Sequence, residues 1–471
     1  MTESHKATAT PTDPETSLRR GVANSEEARR WCRERAIEDI ECIVPDQAGV
    51  ARGKLMPTGK FFDDKPMTLP AAIFTQTITG DYPDRDEEEY AESITDGDLI
   101  FRPDFSTLAV VPWASDPTAH VIHNAYHRDG RPVEVSPRRV LQQVIQLYND
   151  AGIQPVVAPE LEFYLVKPNL DPDYPLEPPV GRSGRTERAR QAYSISAVNE
   201  FEALFDDIYE FSEAQGLEID TLAHEAGTAQ MEINLRHGDP VELADQVFLF
   251  KRTIREAALR HEMYATFMAK PIAAEPGSAM HIHHSVVSLK TGDNIFSTPD
   301  GGASKEFLYY IAGLQTYIPR AMAMMAPFVN SYRRITPHTS APINMRWGYD
   351  NRTVGLRVPL SDPAARRVEN RVPSSDANPY LAIAASLACG YLGLVNKLEP
   401  DEPAAGTGYD APFTLPRSIL DAVQLLENTP ELVEIFGSPF VSIYRGIKET
   451  EYETFMGVIS PWEREYLLLS V

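Results

Sequence analysis

The chain has 471 residues, 43% hydrophobic and 24% charged, which suits a globular protein large enough for two domains. A net charge of −24 excludes a nucleic-acid binder, whose ligand demands a basic surface, and favours cationic ligands. Three cysteines, Cys32, Cys42 and Cys389, match neither a disulfide framework nor a paired metal motif, so a reducing, cytoplasmic setting is expected.

Residues 1–21 are polar and rich in Thr, Pro and Ser and read as a disordered tail without a signal peptide. "IEDIECIVPDQAGVARGKLM" (37–56) alternates apolar and polar residues around an Asp-Gln-Ala-Gly turn and predicts a hairpin. "DYPDRDEEEYAESITDGD" (81–98) sets nine acids against one arginine and reads as a solvated loop. Short strands are expected at "LIFRPDF" and "TLAVVPW". "SPRRVLQQVIQLYNDAG" (136–152) predicts a helix, with Ser136 as N-cap, Pro137 at the first helical position and Gly152 at its end. A small β-rich domain over 22–132 and a catalytic domain over 133–471 follow. Residues 169–187 are Pro/Gly-rich and read as a long loop. "YLAIAASLACGYLGLV" (380–395) reads as a buried helix, too short and Gly/Ser-interrupted to span a bilayer, so no membrane association is expected.

Five further segments alternate as strands with one polar face. "PVVAPELEFYLV" (155–166) aligns Glu160 with Glu162, and "AQMEINL" aligns Gln230, Glu232 and Asn234. "AMHIHHSV" aligns His281, His283 and Ser285, leaving His284 on the apolar side as a packing residue. "TVGLRVPL" turns Arg357 away from its valines and leucine, and "RRVENRVP" aligns Arg367, Glu369 and Arg371. A merely wet sheet face carries Lys, Thr and Ser. Glu, His and Arg bind divalent cations and phosphates, with Mg²⁺ or Mn²⁺ suited to oxygen-rich ligands. There is no Walker loop, so a nucleotide would be held by metals and arginines on the sheet.

"PELEFYL", "HEAGTAQMEINL", "GSAMHIHHS", "NSYRR", "NRTVGLRVP" and "RRVENRVPSSDANPYLA" resemble, in order, the active-site motifs of the glutamine synthetase family. The resemblance runs from about residue 35 to the end. It implies an α+β fold: a small N-terminal β-grasp-like domain and a large catalytic domain, an antiparallel sheet flanked by helices. It implies ATP and two Mg²⁺ (or Mn²⁺) per site. Glu162, Glu225 and Glu232 match the ligands of one metal, and Glu160, His281 and Glu369 those of the other. His283, Ser285, Arg352 and Arg357 match ATP-contacting positions, with Arg352 also stabilising the transferring phosphoryl group. Gly277, Arg334 and Arg371 match residues that hold glutamate. The implied assembly is a homo-dodecamer of two hexameric rings with sites shared between neighbours.

The chain departs from glutamine synthetases proper at the amine end. Pro276-Gly277-Ser278-Ala279 replaces Asn-Gly-Ser-Gly, Ser340 stands where a flap glutamate closes over ammonium, and the segment around Thr79-Gly80-Asp81 replaces an Asp-Gly-Ser-Ser loop. Losing a carboxylate and its bulk leaves room for a larger amine. The "PGSxMHIH" and "WGxxNRT" forms resemble the branch that makes γ-glutamyl derivatives of putrescine and polyamines. The expected activity is an ADP-forming ligase that joins the γ-carboxylate of L-glutamate to such an amine through γ-glutamyl phosphate. Asp81, Asp84 and Glu87 are candidates for holding the distal ammonium, Asp81 and Glu225 also for a catalytic part. Ethanolamine, a monoalkylamine or ammonia are alternative amines, and an inactive scaffold is a rival that the six filled metal positions disfavour.

Overall fold

A computed structural model describes residues 20–63, 65–83 and 97–471. Two sheets organise them. The first holds β1 (Asp39–Pro45), β2 (Ala51–Pro57), β3 (Met67–Pro70), β4 (Asp98–Pro103), β5 (Ala109–Val110) and β6 (Thr118–Tyr126), in the order β2-β1-β6-β4-β3 with β5 beside β6. The 37–56 hairpin forms as read: β1 and β2 pair antiparallel, from Asp39 opposite Pro57 to Pro45 opposite Ala51. Asp46 closes its turn by accepting from the Ala48 and Val50 amides at 2.9 and 2.8 Å.

Alternation along β1 buries the sheet on both faces. Ile40, Cys42 and Val44 pack with Trp31 of the helix Ser25–Glu34 in a small core. Ile43, and Ile122 of β6, point the other way into the large core of the catalytic body.

The second sheet comprises β7 (Ile153–Val166), β8 (Ile219–His224), β9 (Gln230–Leu235), β10 (Tyr264–Thr266), β11 (Met280–Ser288), β12 (Trp347–Tyr349), β13 (Leu356–Val358) and β14 (Val368–Asn370). Its order is β12-β13-β14-β11-β7-β9-β8, with β10 beside β7. The five segments read as polar-faced strands are therefore five consecutive neighbours. All pair antiparallel except β12 with β13.

Helices Pro137–Asp150, Pro240–Arg260, Lys305–Ala321 and Pro379–Asn396 share the apolar core behind this sheet. The first begins after Ser136 with Pro137 at its first position, although the Ser136 side chain makes no capping bond. Pro379–Asn396 alone among the described helices is long and apolar enough to cross a membrane, and 78% of that stretch is buried within the protein. All three cysteines are buried and free.

Candidate active site

Sheet register brings the polar groups together. His281 of β11 lies opposite Glu160 of β7, and Glu162 lies opposite Glu232 of β9. His283 lies opposite Glu369 of β14, which lies opposite Arg357 of β13. Partners across an antiparallel pair stand on one face with their Cβ atoms about 5 Å apart, so residues from five strands converge. Glu225, immediately after β8, joins them through a loop in which its amide donates to the Gln230 carbonyl at 2.8 Å.

Distances bear out the convergence. His281 Nδ1 lies 3.3 Å from Glu160 Oε2 and 3.8 Å from Glu369 Oε1, and its Nε2 lies 3.9 Å from Glu162 Oε1. His283 Nε2 lies 2.8 Å from Glu160 Oε1. Two triads offer ligand atoms within 4.8 Å of one another: Glu160, Glu232 and His281, and Glu160, His283 and Glu369. The donor set of carboxylates with an occasional imidazole fits hard divalent cations. The grouping differs from the resemblance in detail, because Glu160 bridges both triads and His283 stands among the carboxylates.

The electrostatics are those of crowded acids. Burial, then repulsion from Glu225, pushes Glu162 up to about 8. Burial and the charges of Glu160, Glu162 and Glu225 push Glu232 up to about 9. Glu225 is also raised, mainly by burial. Glu160 moves the opposite way: burial would raise it, but hydrogen bonds from His281 and His283 outweigh that and hold it low. Burial likewise opposes ionisation of Glu369, yet Arg371 and the two histidines draw it down to about 2. Burial and the Arg371 charge keep His281 neutral by lowering it to about 4, leaving ring nitrogens able to ligate. Several carboxylates that repel one another and take up protons for relief form a site in which a divalent cation can replace those protons.

The arginines stand beside the carboxylates. Arg357 bonds Glu369 Oε2 at 2.8 Å and Asp350 Oδ1 at 2.7 Å, and Arg371 bonds Glu369 and, at 3.4 Å, the Ser340 carbonyl. Arg334 is buried and donates to the Val372 and Arg371 carbonyls at 2.8 and 2.9 Å, which fixes the segment that carries Arg371. Gly277 is pressed against it: a Cβ there would lie 2.6 Å from the Arg334 side chain. Arg352 is exposed in the turn after β12, and its charge reaches Glu225. Ser285 lies half-buried two residues beyond His283 on β11.

The amine end is less gathered. Ser340 is exposed, and both it and His338 adopt φ of 61°, a left-handed conformation costly for residues with a Cβ. Asp81 makes its contacts within its own turn. Its Oδ2 accepts from Thr79 Oγ1 at 2.8 Å and its carbonyl from the Thr77 amide at 2.9 Å. Among the described residues no hydrogen bond or ion pair joins Asp81 to the carboxylate cluster, and the Ile78 amide of the same turn donates to Glu451 of the helix Ser438–Met456 at 2.8 Å. Asp84 and Glu87 lie outside the described residues.

Several supporting residues escaped sequence reasoning. Buried Gln230 donates to Glu162 Oε2 at 3.3 Å and to the Gly277 carbonyl at 3.1 Å, fixing one ligand against the loop before β11. His224 bonds the Glu225 carbonyl through Nδ1 at 2.7 Å and Glu187 through Nε2 at 3.1 Å, so it anchors the Glu225 loop. The "HE" dipeptide was a visible signal, but Glu187 lay within a stretch that reads as loop. Tyr409 donates to the Ala341 carbonyl at 3.2 Å and packs 5.0 Å from the His338 ring, bracing the segment that carries Ser340. His284 is the buried packing residue expected, bridging Tyr310 and Ser386 at 2.8 Å each.

Carboxylates and imidazoles converging on one face of an antiparallel sheet, with guanidiniums beside them, define a candidate divalent-metal centre suited to phosphorylated ligands. Residues 134–467 match the model of the glutamine synthetase catalytic domain. The chain is 35% identical over 460 residues, 96% of each protein, to gamma-glutamylputrescine synthetase PuuA of Escherichia coli K12. It is 34% identical over 373 residues to glutamate–isopropylamine ligase of a Pseudomonas species (78% of this chain and 80% of that one), and 35% over 374 residues to glutamine synthetase of Pyrococcus horikoshii (78% and 81%). The solved structure of GmaS without ligand superposes with a TM-score of 0.79 at 26% identity, covering 94% of this chain and 99% of that one. The chain belongs to the glutamine synthetase family.

Proposed function

We propose that this protein is an ATP-dependent ligase that joins the γ-carboxylate of L-glutamate to a primary amine, with putrescine or another polyamine as the preferred nucleophile. The register that sets Glu160 against His281, Glu162 against Glu232 and His283 against Glu369 carries the reading. The two amine ligases among the relatives support it.

Two Mg²⁺ or Mn²⁺ ions, when bound, neutralise phosphate charge and polarise the phosphoryl group. Glu162, Glu225 and Glu232 would hold one, and Glu160, His281 and Glu369 the other. His283 and Ser285 would contact ATP, and Arg352 and Arg357 its phosphates. Arg334 and Arg371, with Gly277 allowing close approach, hold glutamate. The γ-carboxylate attacks the terminal phosphorus, ADP leaves, and γ-glutamyl phosphate results. Arg352 stabilises the equatorial charge from the protein side. The amine nitrogen then displaces phosphate and loses a proton. Ser340, where glutamine synthetases proper carry a flap glutamate, leaves space for an alkyl chain.

Asp81, bonded within its own turn, would serve a neighbouring subunit's site, together with Asp84 and Glu87. A dodecamer of two rings supplies such neighbours. Exposed Val458, Ile459, Trp462, Leu468 and Leu469 near the C-terminus form the kind of apolar surface that subunits cover. We place the domain division at residue 132 and the protein in the cytoplasm, the latter supported by its buried free cysteines.

The test is ATP and glutamate turnover against putrescine, spermidine, ethanolamine, isopropylamine and ammonia, with mass detection of the γ-glutamyl product. Putrescine or spermidine should give the highest kcat/KM. Ammonia ahead of both would remove the polyamine reading, and no product with any amine would remove the ligase.

A further inference from the structure

A second set of polar groups lies away from this site, between the N-terminal sheet and the helix Pro240–Arg260. His120 of β6 is fully buried, and neither ring nitrogen has a hydrogen-bond partner among the described residues. Parallel pairing sets His120 beside Glu41 of β1, so both side chains face the same way. Glu41 accepts from Arg252 Nη2 at 2.7 Å, which places the Arg252 guanidinium in front of the imidazole. Arg252 Nη1 is buried and unpartnered, as are Nε and Nη1 of Arg20. Burial and then the charges of Arg252 and Arg20 lower the His120 pKa, so both guanidiniums act on this ring.

The neighbouring guanidinium makes the contrast. Arg138 in the same seam is more deeply buried than Arg252, with 4% against 23% of its side chain exposed, and Asp245, Asp104 and Asn124 receive its donors at 2.7–3.0 Å. Folded proteins pair almost every buried donor, and here one arginine obeys while two others and a histidine leave five nitrogens without a hydrogen-bond partner among the described residues. Three of these are guanidinium N–H donors, whose forked geometry fits the oxygens of a phosphate or carboxylate. A neutral imidazole adds a further N–H.

We propose that Arg20, His120 and Arg252 form a binding site for a small oxyanion of the phosphate or carboxylate class. The anion joins the start of the described chain, the N-terminal sheet and the catalytic body. The next residue on the helix is tied to the segment behind the candidate metal cluster. Lys251 donates to the Ser375 and Ala377 carbonyls at 2.6 and 2.9 Å, and Ser375 Oγ donates to the Glu162 carbonyl at 2.5 Å.

The experiment measures thermal unfolding of the full-length protein with a non-hydrolysable ATP analogue and Mg²⁺ present throughout, so that nucleotide phosphates fill the catalytic centre. Phosphate or acetate is titrated against chloride at constant ionic strength. A saturable rise in the melting midpoint with phosphate, or with acetate, is expected, and it should be lost in Arg252→Met and in His120→Phe. An identical rise in both variants, or no saturable rise in the wild type, overturns the proposal. Because either variant could fold poorly, wild-type crystals soaked in selenate supply the second measurement. An anomalous peak bounded by Arg20, His120 and Arg252 supports the site, and ordered water alone there refutes it.

Discussion

At the residue scale the carboxylates carry the testable chemistry. Glu162 and Glu232, raised to about 8 and 9, bind protons near neutral pH that ordinary glutamates have released. A divalent ion must displace those protons, so its affinity grows with pH. The stabilisation conferred by Mg²⁺ should therefore increase as pH rises through 7–9, read as the difference in melting midpoint between Mg²⁺ and EDTA samples. Taking the difference removes groups common to both, such as Lys251, lowered to about 7 by burial. A difference that shrinks with pH would contradict the proposed metal site. Replacing Glu162 or His281 by Ala should lower glutamate- and amine-dependent phosphate release by roughly 10³-fold, about 4 kcal/mol of transition-state stabilisation. Unaltered turnover would refute the assignment. These residues were legible because strand alternation fixes which side chains share a face. Gln230 was visible on that face, but its bonds to Glu162 and Gly277 depend on contacts 68 and 47 positions away.

At the element scale, the longest apolar helix shows how packing overrides propensity. Pro379–Asn396 crosses Lys305–Ala321 through facing glycines: a Cβ on Gly393 would lie 2.1 Å from the Tyr309 carbonyl oxygen and 2.6 Å from the Gly313 Cα. Helix propensity alone favours Gly393→Ala by about 1 kcal/mol. Two backbones cannot move apart cheaply, however, and overpacking costs about 1–3 kcal/mol. Gly393→Ala should lower the melting midpoint, and a rise would show that the helices can separate. Apolar composition identified this helix, and spacing and caps the Pro137–Asp150 helix, yet neither assigned the glycines a purpose. The strands β12, β13 and β14 are three residues each, and only β13 and β14 carry a charged residue, Arg357 and Glu369, to make them stand out.

At the scale of the whole molecule, Arg138 ties the two sheets. It bonds Asp104 and Asn124 beside the first sheet and Asp245 on the helix Pro240–Arg260 behind the second. Removing one member of a buried ionic network leaves its partners desolvated and unpaired, at a cost of about 3–5 kcal/mol. Arg138→Met should thus destabilise strongly, in thermal or urea unfolding, while the metal ligands stay in place. An unchanged midpoint would mean that the sheets hold together by apolar contact alone. Nothing in the local sequence marks this arginine, since its partners lie 14, 34 and 107 residues away.

The sequence by itself determined the chemistry available: which residues could share a face, which helices were apolar, and which motifs run in the family's order. Those properties depend on the 2.0 and 3.6 residue periods and on residue type, both local. Only the tertiary structure decided that five polar-faced strands are sheet neighbours, that Glu160 belongs to both candidate metal-binding triads, and that Asp81 is bonded within its own turn. Strand order and register arise from contacts across hundreds of residues, where burial of the whole core, and no local preference, selects the pairing.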